Sequence, residues 1–247
     1  MRFLYIYWLI FPAIFLIISN ACVAASNPAP DWSYDDDYTG QEDWGAVEEY
    51  KSCRLGTNQS PVNISFAKTS NLPPLNFTYN KADGSLNITN KSFIMEVTKG
   101  GALIDGKNSY ILQTIEIHSP SGHKIKDIFY PLEIHLLHKN SDGDFIIVAV
   151  FANIGNANPS IEGILKQASS RNAEIFTVNT TSLFANLNSY YSYKGSLPYP
   201  PCAENVQWRI IKTPITISRE QLSKITKLIG RNTRLPQPLY MRDVLEN

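Results

Sequence analysis

Ile115-Glu116-Ile117-His118 and Leu132-Glu133-Ile134-His135-Leu136-Leu137 alternate apolar and polar residues, and a period of two marks β-strands. Alternate side chains of a strand share a face, so Glu116 and His118 point one way together, and Glu133, His135 and Leu137 do likewise. If the two runs pair antiparallel through the turn near Ser121 to Asp127, then Glu116, His118 and His135 converge on one point. Two histidines and a carboxylate with an open position are a recognised zinc set, and Glu133 is placed to accept the other ring N–H of His135. The same residues also suit a plainer role as hydrogen-bonded polar side chains.

Outward from this pair the alternation continues at Leu86-Asn87-Ile88, Phe93 to Val97 and Phe145 to Phe151, punctuated by turns at Gly100-Gly101, Gly106-Lys107-Asn108, Asn140 to Gly143 and Gly155-Asn156. One late helix is expected. Ser218 and Gln221 form a capping-box pattern, Leu222, Ile225, Leu228 and Ile229 make an apolar stripe, and Gly230 stops it. No glycine-rich phosphate loop and no Gly-x-Ser-x-Gly elbow occurs, so nucleotide-binding and α/β-hydrolase readings have no support.

The chain has 247 residues, of which 22 are basic and 22 acidic, and 43% are hydrophobic. That is enough for one well-buried core. The neutral balance, without basic clusters, excludes a nucleic-acid or anionic-membrane partner, which needs a concentrated positive field. At the N-terminus, Met1-Arg2 precedes an apolar run from Phe3 to Ile18 that ends in Ala21-Cys22-Val23-Ala24-Ala25. This reads as a signal peptide, 1–25, removed from a single domain spanning 26–247, and it places the mature protein in the periplasm or outside the cell, off the membrane. Asn27 to Asp37 then reads as an extended arm pinned by Trp32 and Tyr34. In an exported chain Cys53 and Cys202 are most simply a disulfide, with a reactive thiol as the alternative. Asn63, Asn76, Asn87, Asn90 and Asn179 begin N-glycosylation patterns that matter if the source is eukaryotic.

Five blocks, taken in order, resemble the α-class carbonic anhydrases: Gln59-Ser60-Pro61-Val62-Asn63-Ile64; His118-Ser119-Pro120-Ser121-Gly122-His123; Tyr130 to His138; Gly195-Ser196-Leu197-Pro198-Tyr199-Pro200-Pro201-Cys202; and Gln237-Pro238-Leu239 with Arg242. The likeness runs from Trp32 to about Val244. It implies a mainly β (α+β) fold, with a central twisted, largely antiparallel sheet of about ten strands and short surface helices. It also implies a conical cavity with zinc at its base, CO2 and bicarbonate as substrate and product, and a Cys53–Cys202 disulfide.

Carried over position by position, the resemblance makes His118 and His135 two of the three zinc histidines and Glu133 the carboxylate behind them. Asn232 then offers a carbonyl to His118, with Tyr193 and His123 further back. The third zinc histidine is replaced by Glu116. The threonine that orients the nucleophile is replaced by Pro198, the glutamate that orients that threonine by Gly122, and the proton-shuttle histidine falls near Lys91. The apolar CO2 pocket is retained on Leu137, Ile147, Leu197 and Trp208. A carboxylate donor halves the net charge of a dipositive site, and Pro198 has neither a hydroxyl nor a backbone N–H for the developing anion. The resulting expectation is a degenerate member with weak or absent CO2 hydration, acting as a binding or structural protein. The alternative is a working zinc lyase with a Glu116, His118, His135 set.

Overall fold

The structure is a computed structural model describing residues 31–35, 37–89, 91–170, 174–184 and 186–247. The signal-peptide reading, with Cys22, and the Asn90 acceptor lie outside the described residues. No described helix is long and apolar enough to cross a membrane.

The N-terminal arm leads to a short helix, α1 (Ser52–Leu55), and to three two-residue strands, β1 (Asn63–Ile64), β2 (Lys68–Thr69) and β3 (Asn76–Phe77). The runs of alternating residues then become β4 (Lys81–Ile88), β5 (Phe93–Lys99), β6 (Ala102–Asp105) and β7 (Asn108–His118). An excursion carrying β8 (Lys124–Ile125) and β9 (Ile128–Phe129) separates β7 from β10 (Leu132–Lys139) and β11 (Phe145–Ile154). Helix α2 (Pro159–Ser170) is followed by β12 (Phe176–Asn179), β13 (Tyr190–Ser196), β14 (Glu204–Ile217), helix α3 (Arg219–Ile229) and β15 (Leu245–Glu246). The main sheet is 12-stranded, ordered β12-β4-β5-β7-β10-β11-β14-β13-β15-β2, with β3 and β6 as a side pair. Along that path only β11–β14 and β15–β2 are parallel, so the largely antiparallel expectation holds.

The centre of the sheet is buried on both faces. On one face Ile115, Ile117, Ile134, Leu136, Val148 and Val150 join the larger apolar cluster, which α2 and α3 cover with Ile161, Ile164, Ile225 and Ile229. On the other face Leu137, Ile147, Ala149 and Trp208 form a second cluster. Glu116, His118, Glu133 and His135, the alternate positions of β7 and β10, therefore sit on the second face, where strand geometry requires them to be.

Helix α3 starts as expected, with Ser218 Oγ accepting from the Gln221 N–H at 3.1 Å and Gly230 ending it at φ 60°. Its stripe is narrower than expected: Ile225 and Ile229 are buried, but Leu228 is 42% exposed. Helix α2 is a second helix that the period-two reading passes over. Its start is marked by Asn158, whose Oδ1 accepts the Ser160 N–H at 3.0 Å, and by Pro159 in the first turn, where a missing N–H costs nothing. Cys53 and Cys202 are bonded, at a Cα separation of 5.1 Å, and pack with Tyr34, Trp44 and Tyr50, the arm's anchor.

Candidate metal centre

Strands β7 and β10 pair so that His135 stands opposite Glu116 and Glu133 opposite His118. All four side chains are buried. One donor atom from each of Glu116, His118 and His135 lies within 4.8 Å of the others. Each imidazole has one nitrogen already committed. His118 Nδ1 faces the Asn232 carbonyl at 3.0 Å, and His135 Nε2 faces Glu133 Oε1 at 2.9 Å. Because both acceptors require N–H, each ring in its neutral form carries a lone pair on its other nitrogen. Those nitrogens, His118 Nε2 and His135 Nδ1, are buried and have no hydrogen-bond partner among the described residues. A buried polar atom left unsatisfied costs about 1–3 kcal/mol. Two basic nitrogens and a carboxylate turned toward one another form a donor set that fits zinc in type and in number.

His123, Glu133 and His135 also bring donors within 4.8 Å, but theirs are spent on one another. Glu133 Oε1 meets His123 Nδ1 at 2.7 Å and His135 Nε2 at 2.9 Å, while Oε2 accepts the N–H groups of Gly122 and His123 at 2.8 and 2.9 Å. His123 Nε2 lies 2.7 Å from the Tyr193 hydroxyl, itself 2.8 Å from Ser60 Oγ. This network fixes the ring of His135. Burial pushes the Glu133 carboxyl up, but His123 and His135 bring it well below the ordinary carboxylate value, so it is ionised and acts as an acceptor.

Glu116 has its own supports. Its Oε1 accepts from the Thr114 hydroxyl at 2.8 Å and from the Tyr199 hydroxyl at 3.2 Å. Its Oε2 lies 3.6 Å from His118 Nε2, beyond hydrogen-bond reach, so that attraction is electrostatic. Burial raises the Glu116 carboxyl, yet His118, His135 and Thr114 hold it below its ordinary value. Burial lowers His118, but Glu116 and the Asn232 carbonyl leave it above the usual imidazole value; burial and the neighbouring His118 depress His135. Burial and Glu116 push the Tyr199 phenol well above its usual range, which keeps it a hydrogen-bond donor.

The remaining expected residues fall into three places. Leu137, Ile147 and Trp208 are lateral neighbours on β10, β11 and β14, and Leu197 packs on the same cluster, so the four form one apolar wall. The Trp208 ring lies 5.0 Å from that of His135. Pro198 is buried between Leu197 and Tyr199, and Gly122 is packed so closely that an added Cβ would meet Pro61 Cγ at 3.0 Å. Lys91 lies at the cavity wall with its ammonium bonded to Asp31 and to the Trp32 carbonyl, 5.1 Å over the Trp32 ring.

The cavity that reaches Glu116 and His118 encloses about 170 Å³ and is walled by Trp32, Tyr34, Phe93, Ile94 and Tyr199 as well as Lys91. Sequence reasoning assigned no role to Thr114, to Tyr199 or to Trp32 as a cavity wall. Thr114 was within reach, because the alternation that joins Glu116 to His118 extends one step back to it. Tyr199 carries no such signal: it sits in a proline-rich loop without period, and only the fold brings it over β7.

A family model described as eukaryotic-type carbonic anhydrase matches residues 39–247. A carbonic anhydrase of Klebsiella pneumoniae is 34% identical over 229 residues, covering 88% of this chain and 92% of its own. Among solved structures, the α-carbonic anhydrase of Thermovibrio ammonificans in complex with the inhibitor sulfanilamide superposes with a TM-score of 0.80 at 31% identity, over 87% of this chain and 98% of that one. Dioscorin complexed with ascorbate superposes with a TM-score of 0.82 at 26% identity, over 88% and 98%.

Proposed function

The chain belongs to the eukaryotic-type, or α, carbonic anhydrase family, and from that premise we propose that it is an exported zinc protein that hydrates CO2 slowly at neutral pH. The observation that carries this reading is the pair of buried imidazole nitrogens, His118 Nε2 and His135 Nδ1, that have no hydrogen-bond partner among the described residues and face the Glu116 carboxylate. In this reading those three residues hold the metal. Zinc, when bound, supplies the Lewis acidity that makes water a nucleophile near neutral pH.

The chain's own residues set how far that chemistry proceeds. Glu133 and the Asn232 carbonyl hold the two imidazoles in the tautomers that present lone pairs to the centre. Leu137, Ile147, Leu197 and Trp208 offer CO2 an apolar wall beside His135. Glu116 removes one positive charge from the centre. Pro198 provides no hydroxyl to orient the nucleophile and no N–H for the developing anion, and losing one such donor commonly costs about 10²- to 10³-fold in rate. Lys91, at the position of the proton shuttle, has its ammonium engaged by Asp31 and the Trp32 carbonyl of the N-terminal arm.

Zinc content and CO2 hydration of the purified chain test this reading. One zinc per chain, lost to a mild chelator more readily than from a three-histidine site, with slow but measurable hydration, is the expected result. A chain that takes up no zinc refutes it. Pro198 and Gly122 together favour a second reading, a binding protein without turnover, which zinc-loaded protein no faster than buffer would select.

A further inference from the structure

We propose that Thr114 and Tyr199 are positioning residues for the Glu116 donor: their hydroxyls occupy Oε1 and leave Oε2 to the metal. The inference rests on the proposed Glu116, His118, His135 set. A carboxylate replacing an imidazole has a freedom the ring lacks, since it can bind through one oxygen, through both, or turn away into the cavity. A carboxylate oxygen offers about two lone-pair sites. Thr114 Oγ1 at 2.8 Å and the Tyr199 hydroxyl at 3.2 Å take both of those on Oε1. Oε2 is then the oxygen that faces the centre, 3.6 Å from the free nitrogen of His118.

Both hydroxyls are themselves held in place. Thr114 lies on β7, on the same face as Glu116 and two residues before it, opposite Leu137 of β10. The Tyr199 ring lies nearly parallel to that of Trp32, with centroids 6.3 Å apart and planes at 7°. Its carbonyl accepts the N–H of Cys202, a disulfide residue, at 2.8 Å. The loop that brings Pro198, and with it the loss of an orienting hydroxyl, thus returns a different hydroxyl to the ligand itself one residue later.

The test compares the full chain with Tyr199→Phe, Thr114→Val and Thr114→Ser. Zinc affinity is measured by competition with a chromophoric chelator, and coordination by the visible absorption of the cobalt(II)-loaded protein. Phenylalanine keeps the ring beside Trp32, so Tyr199→Phe removes one hydroxyl with little change in packing. Tyr199→Phe and Thr114→Val should each weaken zinc roughly ten- to hundred-fold and dim the cobalt bands as Glu116 turns bidentate, whereas Thr114→Ser should keep the parent affinity and spectrum. In a Glu116→Ala background Tyr199→Phe should weaken zinc no further, because it acts through Glu116. Parent-like affinity and spectra in both hydroxyl-free variants, or an undiminished effect of Tyr199→Phe without Glu116, overturn this inference alone. A parent chain that takes up neither zinc nor cobalt overturns it together with the reading beneath it.

Discussion

In the proposed function, positions 116 and 198 would weaken the chemistry in different ways. A carboxylate donor makes the centre less positive, a deficit that higher pH offsets, whereas the hydroxyl and N–H missing at Pro198 are missing at every pH. Glu116→His should therefore tighten zinc but recover little CO2 hydration, and Glu116→His with Pro198→Thr should recover more. Recovery stays incomplete because Gly122 cannot orient the new threonine, and Gly122→Glu would press a Cβ against Pro61 Cγ at 3.0 Å. Hydration assayed from pH 7 to 9 decides the matter; a single variant as fast as the double one would acquit Pro198. Away from the site, His138 is fully buried, with Nδ1 2.9 Å from the Leu136 carbonyl and Nε2 2.8 Å from the Tyr79 hydroxyl. Burial lowers it from 6.5 to about 4. A folded pKa below the unfolded one means that the unfolded chain binds the proton first, so this residue costs no stability above pH 6.5 and about 3 kcal/mol by pH 4. Urea unfolding of metal-free parent and His138→Leu should show a stability difference that shifts by that amount between pH 7 and pH 4. A difference that does not change with pH would mean that the ring protonates in the fold.

Helices α2 and α3 are tied together at their N-termini by one side chain. Gln221 completes the capping box, accepting the Ser218 N–H at 3.2 Å, and its Oε1 also accepts the Asn158 N–H at 2.9 Å. Its Nε2 donates to the Asn158 carbonyl and to Glu162, both at 3.0 Å. Gln221→Ala removes the cap and leaves the buried Asn158 N–H unpaired, while the Asn158 carbonyl keeps the Glu162 N–H at 2.9 Å, a loss of about 2–3 kcal/mol. In a chain of this size the melting temperature should fall by roughly 5–10 °C, with zinc affinity unchanged; a melt within a degree of the parent would show that water replaces the amide. The capping box was legible because Ser and Gln three residues apart have a local reason to be there. Strands β7 and β10 were legible for a similar reason, since burial on both faces still sorts Ile117 and Ile134 from His118 and His135 by period. Helix α2 was not, because Gly163 and its serines dilute the helical stripe and its place is set by packing on the sheet. Tyr199 lay beyond any local rule, as its partner Glu116 is 83 residues away.

Across the whole molecule, a covalent link joins helix α1, which follows the N-terminal arm, to the loop over the site. The Cys53–Cys202 bond closes a separation of 149 residues. Restricting so long a loop in the unfolded chain is worth about 4–5 kcal/mol in the chain-entropy account. The same junction holds Arg234, which donates to the Cys53 carbonyl at 2.7 Å and to the Ser60 carbonyl at 3.0 Å while lying 5.6 Å over the Trp44 ring. Gln59 reaches the Cys202 carbonyl at 3.1 Å and Glu204 at 3.0 Å. The loop of Pro198 and Tyr199 therefore keeps polar anchors even without the disulfide, so most of the link's effect should lie in the unfolded state. The double variant Cys53→Ser with Cys202→Ser should unfold at a markedly lower urea concentration, with a melting temperature lower by roughly 10–20 °C, yet bind zinc with near-parent affinity well below its melt. Thiol titration of the denatured, unreduced parent should find no free thiol from this pair. Zinc affinity that falls in step with stability would place the bond's main work in the native site, with Tyr199 as the residue through which it acts.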